Sequence, residues 1–282
     1  MTISAKLQLG DVTLVAADCA APELAARALE LCLERCDFAD AVLFSDKPVA
    51  GSFRHHAIAP LSSVADYSRF CLRDLPTLSD TPFVLVVQWD GYVIASEEWT
   101  NSFRKYDYIG AVIHNPLVGA YVGNGGFSLR SRKLQKALLS LPLAGDMQED
   151  EVISRVFRAQ LEKSGIRFAP LKLAERFSYE VRHTGQPTFG FHGAPNLWRH
   201  ESDKDVIDIC RRMRSSWRMS FHFFGLMKNC LTFERIALAE SLYAMVREER
   251  SAATLRAMMA PTLPREFVGE TLAQLETRYG GS

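Results

Sequence analysis

Residues Val84–Trp99 read VLVVQWDGYVIASEEW. An aliphatic, mostly β-branched run stops on Gln88-Trp89-Asp90-Gly91, so a buried strand ends on an amide and a carboxylate. Side chains at i and i+2 of an extended chain leave the same face, so Gln88 and Asp90 should point together beyond the strand end. Asp90-Gly91 is also a hairpin signal, with Tyr92-Val93-Ile94 as the returning strand. The other reading is a carboxylate that holds a metal ion or a substrate at the carboxyl end of a strand, where open α/β sheets keep their ligands. The two readings are compatible, and the flanking segments have to decide between them.

Toward the N-terminus, Val12–Ala17 is a second buried-strand pattern ending at Asp18, and Ala41–Phe44 a third ending at Ser45-Asp46. Between them Pro22–Arg35 has helical apolar spacing with proline in its first turn. Tyr67–Leu75 reads as a short helix stopped by Pro76. Strands alternating with helices predict a mixed, mainly parallel α/β sheet flanked by helices. Three strands with polar ends predict a crevice along one edge.

Downstream, Ser131 is placed to cap a helix through Leu134 and Leu138. Gln148-Glu149-Asp150-Glu151 opens another helix, which passes Val152, Val156 and Leu161 and stops near Gly165. Ile166–Ala169 reads as a last strand before Pro170. From Trp198 the texture becomes helical, with Val206, Cys210, Met213, Trp217, Phe221 and Phe224 at helical spacing. The expected division is therefore a sheet domain over 1–197 and a helical C-terminal extension over 198–282.

The 282 residues are 48% hydrophobic and 23% charged, an ordinary globular balance. Lys+Arg and Asp+Glu are both 33, so no global field draws the chain to nucleic acid, and nucleic acid is not an expected partner. No run approaches the roughly 20 apolar residues that span a bilayer. Asp11 interrupts the apolar N-terminal stretch, which does not read as a secretory signal. The 6 cysteines form no CxxC pair and read as buried thiols of a reducing cytoplasm.

Three further features could carry chemistry. Asn124-Gly125-Gly126 either makes a tight turn or lets a ligand approach the backbone. It is neither a P-loop nor a dinucleotide fingerprint. Glu149-Asp150-Glu151 is favoured at a helix start by the macrodipole alone, or offers a general base. His192, between Phe191 and Gly193, is either a satisfied buried histidine or a nitrogen ligand for a metal held by Asp90.

In order, QWDG, YDYIGA, VGNGGFSLRSR, QEDEVISR, IRFAP and FGFHG resemble a family of bacterial and fungal proteins. That family was long catalogued as a domain of unknown function and is similar to A-type nucleotide-sugar glycosyltransferases. The resemblance covers Val12 to Gly193 and not the C-terminal third. It implies a GT-A-like fold and transfer of a sugar from a nucleotide-sugar donor to a hydroxyl of a glycan or lipid-linked saccharide, with inversion, as in surface polysaccharide biosynthesis. Gln88-Trp89-Asp90 would stand for the Asp-x-Asp motif. Asp90 and His192 would ligate Mn²⁺ or Mg²⁺ on the donor diphosphate. Asn124, Gly125 and Gly126 would line the donor-sugar pocket and Asp18 the nucleoside. Glu149 and Asp150 would face the acceptor, with Asp150 as base. Gln88 departs from the motif, since an amide adds no charge to a metal site.

Two other functions stay open. A nucleotidyltransferase would carry a Gly-rich basic loop after the first strand, where this chain has Cys19-Ala20-Ala21-Pro22. A catalytically degenerate carbohydrate- or nucleotide-binding protein would explain Gln88. The arginines between Ile209 and Asn229, with Trp217, Phe221 and Phe224, allow a peripheral contact of 206–228 with the inner face of a membrane.

Overall fold

A computed structural model describes residues 5–142, 147–249, 251 and 254. The chain divides into two compact units, Met1–His192 and Gly193–Ser282.

In the first unit β1 (Leu7–Ala17), α1 (Pro22–Leu33), β2 (Cys36–Ser45) and β3 (Arg54–Ala57) follow one another. Next come α2 (Val64–Arg69), α3 (Leu75–Leu78) and β4 (Phe83–Val87). The short strands β5 (Tyr108–Gly110), β6 (Val112–Asn115), β7 (Gly119–Val122) and β8 (Ser128–Ser131) follow. Then come α4 (Arg132–Leu138), α5 (Glu149–Glu151), α6 (Arg158–Lys163) and α7 (Leu171–Phe177). The two-residue strands β9 (Ser178–Tyr179) and β10 (Gly190–Phe191) close the unit.

The six-stranded sheet has the order β3-β2-β1-β4-β8-β5. The first four strands are parallel; β8 runs antiparallel to β4, and β5 antiparallel to β8. The fold class is therefore the expected mixed, mainly parallel sheet flanked by helices. Alternation along the strands sorts the core. Val15, Val42, Val84 and Val86 share a cluster with Phe44, Phe70, Cys71 and Leu75. Leu14, Leu43 and Leu85, equally buried, are left for the face that α1 covers against β1, β2 and β4. Register sets Ala17 opposite Phe44 and Ala16 opposite Val87, so β1, β2 and β4 end together. That shared edge carries Asp18, Ser45-Asp46 and Gln88.

Three sequence expectations are corrected. Pro76 does not stop a helix at Leu75, because the chain winds from Val64 to Leu78 through a π-helical turn at Phe70–Asp74. Leu75 N–H reaches back to Phe70 O, so the wider turn makes room for a residue that lacks a donor. Ile166–Ala169 is not a strand: only Phe168 bridges Tyr108, and Pro170 ends the pairing. Tyr92–Ile94 does not return along β4 either, since Val93 bridges Gly190 instead. Ser131 caps α4 as expected, its Oγ accepting Leu134 N–H at 3.0 Å.

The second unit is helical: α8 (Leu197–His200), α9 (Asp203–Arg212), α10 (Ser215–Arg218), α11 (Phe221–Thr232) and α12 (Ile236–Arg247). Ser202 and Ser220 cap α9 and α11. Val206, Cys210, Phe223, Phe224, Met227, Leu242 and Tyr243 are buried in it. The three aromatics offered for a peripheral contact differ in exposure. Phe224 is core, Trp217 stands edge-on to Phe223, and of the three only Phe221 is largely exposed. Arg218 is likewise committed, to Glu249 and to the carbonyls of Cys210 and Met213. Among the described residues no helix is long and apolar enough to cross a membrane.

Candidate active site

Gln88–Gly91 is a tight turn closed by Gln88 N–H to Gly91 O (3.2 Å) and Gly91 N–H to Gln88 O (3.0 Å). The turn reading of this stretch holds, and the turn aims both side chains at one atom. Gln88 Oε1 lies 2.9 Å, and Asp90 Oδ1 3.5 Å, from His192 Nε2. His192 arrives from β10 on the far side of the unit's sequence, paired through Val93–Gly190. Two glycines make the approach possible. A Cβ on Gly126 would lie 2.1 Å from His192 Nε2, and one on Gly91 would lie 2.8 Å from His192 Cδ2.

The other ring nitrogen, when protonated, donates to Glu180 and not to Asn124, whose amide nitrogen is itself a donor. Nδ1 lies 3.1 Å from Glu180 Oε1 and 3.0 Å from Asn124 Nδ2. Burial by itself would lower the imidazole pKa, but Asp90, Glu180 and Asp150 outweigh it and raise it to about 9. The surrounding carboxylates thus favour the protonated imidazole.

Asn124 also links this pole to a second one. Its Oδ1 accepts Phe127 N–H at 3.3 Å, and the next residue, Gly125, donates its N–H to Asp150 Oδ2 at 3.2 Å. Asp150 is held again by Glu151 N–H on Oδ1 at 2.7 Å. Burial, then the charge of Glu149, pushes the Asp150 carboxyl up to about 7, against two backbone hydrogen bonds that lower it. Such a group takes and gives a proton near neutrality.

Glu149 does not face outward beside it. It is buried, and its Oε1 accepts from Arg130 Nη2 at 2.9 Å; Arg130 is 0% exposed. Arg130 also donates to Gly125 O (3.1 Å) and to Ser128 Oγ (3.0 Å), and Ser128 Oγ–H binds Gly125 O at 2.8 Å. The pair holds the glycine turn from below, with the Glu149 side chain turned inward onto Arg130. A Cβ on Gly125 would collide with Glu149 Oε1 at 2.3 Å.

Asp18 stands at the same strand edge, one strand from Gln88. Its Oδ1 accepts the N–H groups of Ala20 and Ala21 at 2.7 Å, which shapes the entry into α1. Of the residues singled out by sequence, the structure thus brings Gln88, Asp90, Asn124, Gly125, Gly126, Asp150 and His192 into one cluster. It turns Glu149 inward and places Asp18 at the strand edge.

Sequence reasoning missed Arg130 and Glu180. Arg130 had a signal: an arginine alternating with leucine in the strand Ser128-Leu129-Arg130-Ser131 needs a buried counter-charge. Glu180, on an irregular segment after β9, had none.

Glu180 on Nδ1, with oxygens converging at Nε2, is the arrangement of a metal-bound histidine backed by a carboxylate. Among the described residues no three His, Cys, Asp or Glu side chains form a metal-binding group. The third donor is the Gln88 amide oxygen, so the set fits a cation with one negative charge supplied by Asp90 in place of two. A metal would also have to displace the Nε2 proton.

Fold and site together define an α/β domain with a cluster of carboxylates around one histidine beyond the carboxyl end of β4. The chain belongs to the family described as Protein of unknown function (DUF5672), whose model matches residues 52–192. No curated protein sequence matches it. Among solved structures it is similar to a glycosyltransferase involved in the glycosylation of the major capsid of PBCV-1, at 13% identity and a TM-score of 0.41, covering 64% of this chain and 92% of that one. It is similar to the galactosyltransferase LgtC in complex with donor and acceptor sugar analogs, at 12% and 0.42, covering 73% and 99%. It is also similar to the mannosyltransferase PcManGT from Pyrobaculum calidifontis in complex with GDP-Man and Mn²⁺, at 12% and 0.42, covering 98% and 81%. Likenesses at this level assign neither a residue nor a reaction to this chain.

Proposed function

We propose that the protein is a glycosyltransferase moving a sugar from a nucleotide-sugar donor to a hydroxyl of a glycan or lipid-linked saccharide, with inversion. The observation that carries this reading is the two-pole arrangement of the cluster. Asn124 touches His192 while Gly125 donates to Asp150, so one peptide separates a histidine-and-carboxylate pole from a carboxylate with a near-neutral pKa. In-line displacement asks for such poles, one for the departing diphosphate and one opposite for the attacking hydroxyl.

In this scheme Asp150 takes the proton of the acceptor hydroxyl as its oxygen bonds to the anomeric carbon and the bond to the diphosphate breaks. Asn124, Gly125 and Gly126 line the transferred sugar, and Asp18 and the strand edge lie toward the nucleoside. Asp90, His192 and Gln88 would hold Mg²⁺ or Mn²⁺. When bound, the ion supplies charge neutralisation on the diphosphate. The arginine–glutamate pair beneath the turn keeps the poles at fixed separation.

A thermal-shift screen of nucleoside diphosphates and sugar nucleotides, with and without Mn²⁺, tests the reading. A nucleotide sugar should stabilise the protein and be consumed when an acceptor is present. Stabilisation without hydrolysis or transfer would favour the non-catalytic binding protein, for which Gln88 is the supporting residue. A nucleotidyltransferase is disfavoured by the turn after β1, where Asp18 binds backbone N–H groups and no basic residue follows.

A further inference from the structure

A groove of about 350 Å³ opens beside Asp150, between the β6–β7 hairpin, the helical segment after Asp150, and Ala169–Leu171. That is the size of a small-ligand site. Its wall is mostly apolar, including Val118, Val122, Pro170 and Leu171, and among the described residues that line it the charged ones are Arg155 and Arg158. Leu117, at the hairpin tip, is 91% exposed, and Val118 is exposed beside it.

The groove borders the segment that carries Asp150. Ser154 lines it and donates its hydroxyl to the Asp150 carbonyl. Tyr121 also lines it, close enough to Asp150 for that carboxylate, after burial and Glu151, to raise the phenol's pKa. Each guanidinium is fixed along one edge only. Arg155 Nη2 meets Glu151 at 3.2 Å, and Arg158 Nε meets Glu162 at 2.9 Å while lying over the Phe168 ring at 4.4 Å. Helical pairs of that kind hold an arginine in place at little energetic gain. They leave further N–H groups for an anion.

Apolar wall, two oriented guanidiniums and a neighbouring base match an amphiphilic anion and not a neutral sugar. We propose that this groove receives the acceptor, and that the acceptor is a saccharide linked through phosphate to a hydrocarbon chain. Its phosphate lies on Arg155 and Arg158, and its hydrocarbon lies along Val118, Pro170 and Leu171. The assignment rests on the transferase reading for its role, but the groove's chemistry does not.

The test is calorimetric titration of the full chain with octyl phosphate, octyl β-glucoside and inorganic phosphate, alongside a nucleotide-sugar titration. Octyl phosphate should bind at least tenfold more tightly than either of the other two probes. The Arg155→Gln/Arg158→Gln pair should weaken octyl phosphate about tenfold or more. Val118→Ser/Leu171→Ser should weaken it without changing inorganic phosphate, and neither double variant should alter nucleotide-sugar affinity. Equal binding of the three probes, or full octyl-phosphate affinity in the arginine variant, overturns the groove assignment and leaves the transferase reading standing. Octyl-phosphate binding with no nucleotide-sugar binding keeps the groove and removes its role as an acceptor site.

Discussion

Asp150 draws its reactivity from where its neighbours put it. Replacing it with asparagine keeps the hydrogen bond from Gly125 N–H and removes the basicity. Donor affinity should then stay near the native value while transfer falls about 10²–10⁴-fold, the usual loss of a positioned acid–base group. Stability responds with a definite sign. The carboxyl rises from 3.8 to about 7 on folding, so the folded state holds the proton more tightly. Stability contributed by the neutral form is present at low pH and is lost as pH rises toward 7. Asp150→Asn should therefore melt several degrees above the native protein at pH 8, with the gain shrinking at pH 5, in paired thermal scans. Initial rates at low substrate should rise with pH to a plateau above about 7. Because the charge of Glu149 is the second cause of that high value, Glu149→Gln should move the acid limb of the profile to lower pH. An unmoved limb would mean that another group is the base.

At the scale of elements, the strand–turn–strand piece Val122–Ser131 is where helix, sheet and site meet. Arg130 and Glu149 form a buried pair with side-chain exposures of 0% and 7%. Taking away one member leaves an uncompensated buried charge, so Arg130→Met should cost about 3–5 kcal/mol in denaturant unfolding. Arg130→Met/Glu149→Leu should recover most of the loss, since an apolar pair of similar volume replaces the ions. Gly126→Ala tests the turn from the other side. A methyl group pressed against the His192 ring should weaken donor binding while costing only about 1–3 kcal/mol of stability. If donor affinity is unchanged in Gly126→Ala, His192 does not serve the donor.

The elements were unevenly legible. Buried strands with polar ends could be read from β-branched runs, as could the serine cap at Ser131, because those signals are local. The junction of Gln88 with His192 spans 104 positions and needs the whole sheet to form. Glu180 sits on a stretch with no periodicity. The continuation of the helix past Pro76 depends on a wide turn that no propensity announces.

The whole molecule divides after His192, just past the last residue of the cluster. The two-pole site, the glycine turn and the arginine-lined groove all lie within Met1–His192. A chain ending after Gly193 should therefore retain nucleotide-sugar affinity within a few-fold, measured by calorimetry. Loss of binding in a truncated chain that stays folded would assign part of the donor site to the helical unit.

One more property follows from the way the two segments flanking the site are wound. Phe70–Asp74, which brings Cys71 against Arg130, and Val152–Val156, which follows Asp150 directly, are both π-helical turns. Each such turn holds one more residue than regular winding needs. The surplus residue is accommodated within the turn, so the windings on either side keep their own register. Exchange of side chains should be tolerated at Arg73, Asp74 and Val156, which are exposed or half-buried, far better than at the buried Phe70, Cys71, Leu72, Val152, Ile153 and Ser154.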